Sequence, residues 1–142
     1  MIEIQELTTQ KEFQEAYPVM HELRHRLSEE AYLNLLEKMI SEGYRLFALR
    51  NSGKIVALAG IAILINFYND RHVYVYDLIT ASEARSQGFG RRLLTFIESF
   101  AREENCKTIE LSSGLQRIDA HRFYEQHLHY EKSSYVFRKQ IG

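Results

Sequence analysis

Apolar and polar residues alternate in some stretches of the chain and recur at helical spacing in others. The first alternating stretch, residues 2–7, predicts a short strand. Thr9 and Glu12 then have the spacing of a capping box, which predicts a helix from about Gln10. Pro18 is expected to break or kink that helix, because proline lacks the backbone N–H that a helix interior needs.

The middle of the chain changes from helical to strand-like spacing. A second helix is expected after Ser28, a favourable N-cap residue, and to end at Gly43. Three strand-like stretches follow, separated by turn residues: 44–50, 55–65 and 72–80.

The last third of the chain alternates between helical and strand-like spacing of its apolar residues. Helical spacing returns at Gly88, followed by a short strand at 108–111, a helical stripe at 120–128 and a final strand-like stretch at 135–141. The order β-α-α-β-β-β-α-β-α-β predicts an α/β fold. It should have a central mixed sheet, an antiparallel meander in its middle and a β-α-β crossover after the meander.

Composition narrows the class of protein. The 142 residues predict a single domain, 1–142, and 45% hydrophobic residues suffice for a globular core. A net charge of −1 gives no field that would favour nucleic acid or an anionic membrane as partner. The single cysteine, Cys106, excludes a disulfide framework, and no secretory signal or membrane-spanning run is recognisable. We therefore expect a soluble cytoplasmic domain without a nucleic-acid or membrane partner.

Two short motifs suggest chemistry, and the first is of the H-E-x-x-H type. It runs from His21 to His25 and on a helix would place two imidazoles one turn apart, with Glu22 to activate a metal-bound water. Such a site needs a third ligand, and no extension of the motif follows. A metallopeptidase is thus a weak alternative, and the sequence predicts no metal site.

The second motif is of the R-x-x-G-x-G type, between a predicted strand and an amphipathic helix. It comprises Arg85, Ser86, Gln87, Gly88, Phe89 and Gly90. Unpaired N–H groups at a helix start attract anions, and glycines allow the backbone to approach a ligand closely. The motif is neither a Walker A loop nor a full dinucleotide fingerprint, since Leu93 stands where the third glycine would be. Its position indicates a phosphate-binding turn, with a plain glycine turn as the alternative.

These residues resemble the GNAT superfamily of acyl-CoA-dependent N-acyltransferases. The stretch from Asp77 to Thr80, the Arg85–Gly90 motif and Leu93-Leu94 look like the coenzyme A motif of that family. Downstream, Ala120-x-x-Phe123-Tyr124 looks like its A-x-x-F-Y segment. The resemblance implies a GNAT-like mixed sheet with helices on both faces. It also implies transfer of an acetyl group from acetyl-CoA to a primary amine of a small molecule or peptide, by direct attack in a ternary complex.

The resemblance also implies which residues bind the donor. Backbone groups of Leu78, Ile79 and Thr80 would pair with pantetheine, and N–H groups of residues 87–91 would hold the pyrophosphate. The expected donor-binding residues are Leu78, Ile79, Thr80, Arg85, Ser86, Gln87, Gly88, Phe89, Gly90, Arg91, Ala120, Phe123 and Tyr124. Arg117 stands where many relatives have an asparagine that touches pantetheine.

Two residues are the catalytic candidates. Tyr124 would protonate the leaving thiolate, because a phenol of pKa near 10 is still protonated at neutral pH. Asp77 could accept the amine proton through water, or could simply cap a loop; Glu110 is a weaker candidate base. Tyr74 and Tyr76 could line an acceptor cleft or belong to the core.

A different class of function stays open, namely a non-catalytic domain that binds or senses acyl-CoA. The sequence decides neither the acceptor amine nor whether the chain acts alone or as a homodimer.

Overall fold

The computed structural model describes residues 1–113 and 117–142. In chain order its elements are β1 (Ile2–Leu7), α1 (Gln10–Leu23), α2 (Glu29–Ser41), β2 (Arg45–Asn51), β3 (Lys54–Asn66), β4 (Asp70–Thr80), a 3-10 helix (Ser82–Ala84), α3 (Phe89–Glu103), β5 (Thr108–Leu111), α4 (Ile118–Arg122) and a π-helical turn (Phe123–His127).

The strands form one mixed sheet in the order β1-β2-β3-β4-β5, with helices on both sides, so the expected α/β fold is confirmed. Strands β1 to β4 pair antiparallel in chain order, which is the predicted meander. The chain then crosses from β4 to β5 through α3. Strand β3 is buried along most of its length, as expected for the centre of a sheet covered on both faces.

The helices follow from local sequence and from one apolar face each. The Thr9 side chain accepts from the Glu12 N–H, and Glu12 accepts from the Thr9 N–H, so the predicted capping box is present. In α3, buried side chains recur at helical spacing, and they are Phe89, Leu93, Leu94, Ile97 and Ala101. This face anchors the start of α3, where the glycine motif lies.

Two predicted features do not form, namely a break of α1 at Pro18 and a strand at residues 135–141; a kink at Pro18 stays a prediction. Helix α1 continues through Pro18 to Leu23, so proline does not end it. Packing compensates for the missing N–H, because Ala16, Val19 and Met20 on either side of Pro18 are buried. Residues 135–141 carry no strand; Tyr135, for example, is 75% exposed. An alternating pattern forms a strand only where another strand is available to pair with it.

The chain divides into two compact units, Met1–Glu110 and Leu111–Gly142. The first contains α1 to α3 and β1 to β4. The second contains α4 and the π-helical turn, after which the chain is irregular. Within the described residues, no helix has both the length and the apolar character needed to cross a membrane.

Candidate active site

The end of β4 and the turn after it bring most of the predicted donor-binding residues into one segment. Asp77, Leu78, Ile79 and Thr80 are the last residues of β4 and pair with β3 on one side. At the start of β4, the Lys107 N–H donates to the Arg71 carbonyl at 2.6 Å, which aligns the start of β5 with the start of β4. Because β5 has four residues and β4 has eleven, β5 runs beside the first part of β4. The outer edge of β4 from Leu78 to Thr80 therefore extends past β5.

The turn between β4 and α3 contains two residues in the left-handed region. Ser86 has φ +67° and Gly88, the N-cap of α3, has φ +80°. Gly88 has no side chain with which to cap α3. The first helical hydrogen bond runs from the Arg92 N–H to the Gly88 carbonyl at 3.0 Å. In an α-helix the N–H groups before this one, such as those of Phe89 and Gly90, point out of the start of the helix.

The two glycines of the motif, Gly88 and Gly90, differ in how much space surrounds them. A Cβ on Gly88 would meet no atom within 4 Å, whereas one on Gly90 would lie 3.1 Å from Thr80 Oγ1. Gly90 thus allows the start of α3 to approach the end of β4, and Gly88 leaves open space at the start of α3. The first turn of α3 has no acidic residue, and it contains Arg91 and Arg92. These properties suit an anion such as a pyrophosphate.

Asp77 lies in a network of three side chains rather than free in a cleft. The carboxylate is 7% exposed. Its Oδ1 accepts from Arg24 Nε at 2.9 Å, and Arg24 Nη2 lies 2.8 Å from the same oxygen. Its Oδ2 accepts from the Tyr44 hydroxyl at 2.7 Å. Burial, with the nearby Asp77 charge, raises the pKa of Tyr44 well above its ordinary value, so this phenol stays a donor.

Gly60 makes the Tyr44–Asp77 contact possible. It is the β3 partner of Asp77, and a Cβ at this position would overlap the Tyr44 ring. Next to it the pairing of β3 with β4 shifts, passing from Asp77 to Val75 and skipping Tyr76. The rings of Tyr44 and Tyr74 lie 5.8 and 4.9 Å from that of Tyr76. Tyr76 is 40% exposed, so this aromatic group reaches the surface.

The last turn of α1 contacts both β4 and the turn that follows it. Arg24, the C-cap residue, donates through Nη2 to the Tyr76 carbonyl at 2.9 Å and through Nε to Asp77. Glu22 Oε1 accepts from the Ser82 N–H at 2.9 Å and lies 3.7 Å from Arg85 Nη2. Arg85 Nε in turn donates to the Thr80 carbonyl at 3.2 Å.

The H-E-x-x-H segment has no arrangement that suits a metal. Helix α1 ends at Leu23, so His25 lies beyond it, and His21 Nδ1 is 3.1 Å from the Tyr17 hydroxyl. The carboxylate of Glu22 is used in the contacts just described. Among the described residues, no group of three or more His, Cys, Asp or Glu side chains could hold a metal ion.

The remaining predicted residues, Ala120, Phe123 and Tyr124, lie in the second unit. Ala120 is in α4, and Phe123 and Tyr124 begin the π-helical turn. Tyr124 is buried, and its ring lies 5.6 Å from that of Phe123 and 6.1 Å from that of Tyr130. Burial raises the pKa of Tyr124, and the positive charge of Arg117 partly offsets this rise. The phenol is therefore protonated at neutral pH.

Two further reactive groups, Glu110 and Cys106, make none of the contacts described above for Asp77 and the β4–α3 turn. Glu110 Oε2 accepts from Asn69 Nδ2 at 3.0 Å, at the turn between β3 and β4. This turn lies at the opposite end of β4 from Asp77. Burial raises the pKa of the Cys106 thiol, which disfavours the nucleophilic thiolate.

Sequence reasoning missed Glu22, Arg24, Tyr44 and Gly60 as parts of this region. Glu22 was noticed only as a possible metal-site base. A glycine within an apolar strand does signal a close approach of another group, and this signal could have identified Gly60. The partners of Arg24 and Tyr44 lie 53 and 33 residues away, beyond any local pattern.

Comparison with known proteins places the chain in a family. The family model described as "Acetyltransferase (GNAT) family" matches residues 6–130. The protein named "Uncharacterized N-acetyltransferase YhdJ" of Bacillus subtilis is 41% identical over 142 residues, covering 99% of this chain and all of that protein. The aminoalkylphosphonate N-acetyltransferase of Salmonella typhimurium is 32% identical over 109 residues, 76% of this chain and 68% of that protein.

Solved structures agree with this fold. The aminoglycoside N-acetyltransferase AAC(6')-Iy, in complex with CoA, superposes with a TM-score of 0.86 over 99% of this chain and 95% of that one, at 13% identity. Such low identity speaks for the fold alone. The family match, which covers most of the chain, and the 41% identical relative show more: this protein belongs to the GNAT family of acetyltransferases.

Proposed function

We propose that this protein transfers the acetyl group of acetyl-CoA to a primary amine of a small molecule or peptide, within a ternary complex. The observation that carries the proposal is the turn before α3, where Gly88 adopts φ +80° and a Cβ at this position would meet no atom within 4 Å. The proposal takes residues 1–142 as one catalytic domain in the cytoplasm, acting alone or as a homodimer.

The residues present fit the donor. N–H groups of residues 87–91 would bind the pyrophosphate, with Arg85 and Arg91 adding positive charge. The outer edge of Leu78, Ile79 and Thr80, which extends past β5, would pair with the amides of pantetheine. By the resemblance of their segment to the A-x-x-F-Y motif, Ala120, Phe123 and Tyr124 would contact the rest of the pantetheine arm. The donor supplies an activated thioester, and the chain supplies its orientation.

Asp77 is the proposed acceptor of the amine proton, through water. A carboxylate offers about four acceptor positions. Arg24 and Tyr44 account for three contacts, two on Oδ1 and one on Oδ2, so one position can hold a water. The aromatic side chains of Tyr44, Tyr74 and Tyr76 would favour an amine cation before it loses its proton.

Two further groups would complete the transfer. A backbone N–H of Leu78 or Ile79 would donate to the carbonyl oxygen under attack, and such a donor typically contributes about 3–4 kcal/mol. Tyr124 would donate its phenolic proton to the sulfur as the carbon–sulfur bond breaks, which prevents the reverse reaction. Its raised pKa keeps that proton in place at neutral pH.

Calorimetric titration with acetyl-CoA and CoA tests donor binding. We expect saturable binding of both, and the absence of binding at millimolar ligand would refute the proposal. Turnover should be measured by thiol release with a panel of amines, including an aminoalkylphosphonate and an aminoglycoside because relatives act on these classes. Tight CoA binding without turnover on a broad panel would favour the alternative of a non-catalytic acyl-CoA-binding or sensing domain.

A further inference from the structure

Glu22 joins the last turn of α1 to the connection between β4 and α3. Its Oε1 accepts from the Ser82 N–H at 2.9 Å, across 60 residues of chain. Ser82 opens the 3-10 helix, and Ala81 before it provides no side-chain cap. The Glu22 carboxylate therefore does for this short helix what an N-cap residue does in other helices, but from a different element.

The hydrogen bond matters more than the ion pair. Arg85 Nη2 is 3.7 Å from Glu22 Oε1, and the Arg85 side chain is 55% exposed. Exposed ion pairs at such distances contribute little, whereas a hydrogen bond from an N–H to a carboxylate is among the stronger kinds. Arg85 also donates to the Thr80 carbonyl, so it has a second reason to stay near the turn.

The backbone at Ser82, which is hydrogen-bonded to Glu22, leads directly into the proposed phosphate-binding turn. Ser82 is four residues before Ser86 and six before Gly88, the two positions with positive φ. A turn held in its bound conformation loses less conformational entropy when its ligand binds. We propose that Glu22 is a positioning residue that keeps the β4–α3 turn ready for the donor phosphates. This inference rests on the proposed function.

The hydrogen bond between Glu22 and the Ser82 N–H can be removed without removing the other contacts between α1 and β4. Arg24 independently joins the end of α1 to Asp77 and to the Tyr76 carbonyl, so α1 keeps contact with β4 without Glu22. Ala81 has φ −55° and ψ 141°, the conformation that a residue before proline prefers. Ser82→Pro therefore removes the same N–H from the other side, at a helix start where proline is tolerated.

The experiment compares donors with and without phosphates. We expect Glu22→Ala and Ser82→Pro each to weaken CoA binding at least fivefold, measured by calorimetry, and the double variant to be no weaker than either. Glu22→Gln keeps an acceptor oxygen and should stay within about threefold of the unaltered protein. KM for S-acetylpantetheine, which lacks the phosphates, should be the same in all variants.

Two controls isolate the contact. Glu83→Ala removes a neighbouring exposed carboxylate that pairs with Lys54 at 3.0 Å, and Ser82→Ala keeps the backbone N–H. Both should bind CoA as the unaltered protein does. Normal CoA binding by Ser82→Pro, or an equal loss for S-acetylpantetheine, would overturn the positioning role, and either result holds even if Glu22→Ala does not fold. Failure of the unaltered protein to bind CoA would instead refute the proposed function, and this inference with it.

Discussion

The two units present their predicted functional residues in different ways. In the first unit, the proposed phosphate-binding turn between β4 and α3 depends on backbone conformation. Gly88 has φ +80°, and a buried apolar face anchors α3. In the second, the proposed acid is one side chain, Tyr124, on a five-residue π-helical turn. Among the residues of that unit that the structure describes, Tyr124 is the buried hydrophobic one, whereas the first unit has buried residues in each of its helices and in β1 to β4.

This difference indicates which changes should affect binding and which should affect the chemical step. A turn made by the backbone is sensitive to substitutions that restrict φ, and its loss should raise KM for the donor. A side chain that donates a proton is sensitive to loss of one atom, and its loss should lower kcat. The predictions below use this contrast.

The largest effect is expected from Gly88→Val. A β-branched residue is strained at φ +80°, by about 1–2 kcal/mol or more, and its side chain would fill the open space at the start of α3. We expect KM for acetyl-CoA to rise roughly 30-fold or more, because of this strain and because contacts to the phosphates would be lost. Steady-state kinetics with acetyl-CoA measures it.

Gly53→Val is the matched control for that variant. Gly53 has φ +87° and equally open surroundings, but it lies between β2 and β3. Both variants should lose similar stability, and only Gly88→Val should lose donor affinity. If Gly88→Val binds CoA normally, the turn does not bind phosphate.

Tyr124→Phe should lower kcat at least tenfold while leaving the fold and CoA affinity intact, since general acids commonly contribute about 10²–10⁴-fold. Tyr130→Phe, which alters the neighbouring ring in the same way, is the control and should keep its kcat. An unchanged kcat in Tyr124→Phe, or a loss of binding that matches a loss of stability, would make Tyr124 a packing residue.

The pH dependence of the same variant sharpens the assignment. Burial raises the pKa of Tyr124, so the acid keeps its proton to a higher pH than an exposed tyrosine does. The kcat of the unaltered protein should therefore fall only above pH 10, as Tyr124 ionises. Tyr124→Phe should lack this alkaline fall, and a profile identical to that of the unaltered protein would assign the fall to another group.

Gly60→Ala tests the Asp77 network through stability. The added methyl group would overlap the Tyr44 ring and force it away from Asp77. Overpacking of this kind typically costs about 1–3 kcal/mol of unfolding free energy, measured by denaturant unfolding. Tyr44→Phe, which removes the hydroxyl but not the ring, should cost less, about 1–2 kcal/mol. Equal stability of Gly60→Ala and the unaltered protein would contradict the tight approach.

The smallest effect is expected from Ser86→Gly. Ser86 has φ +67°, a region that glycine occupies without strain. The variant should bind CoA as tightly as the unaltered protein or up to about twofold more tightly. Calorimetry measures the difference, and a strong loss of affinity would show that the Ser86 side chain itself is used.

Local patterns were enough to predict most elements of the first unit. The capping box at Thr9, the glycine after α2 and the apolar face of α3 each depend on residues within a few positions of one another. The glycine motif belongs to the same class, because its conformation is a property of a few consecutive residues. The same reasoning failed for residues 135–141, whose strand-like pattern needed a partner strand that local sequence does not specify.

The sequence by itself determined the order of strands and helices as far as α4, the family and the turn at Arg85–Gly90, since these depend on short-range periodicity and on glycines. Only the tertiary structure decided that Glu22 accepts a hydrogen bond from the Ser82 N–H rather than serving a metal site. It also decided that Arg24 and Tyr44 both donate to Asp77, with Tyr44 packed against a glycine of β3. The physical reason is distance along the chain. A polar side chain can have many partners, and the packing of α1 and β2 against β4 selects one of them.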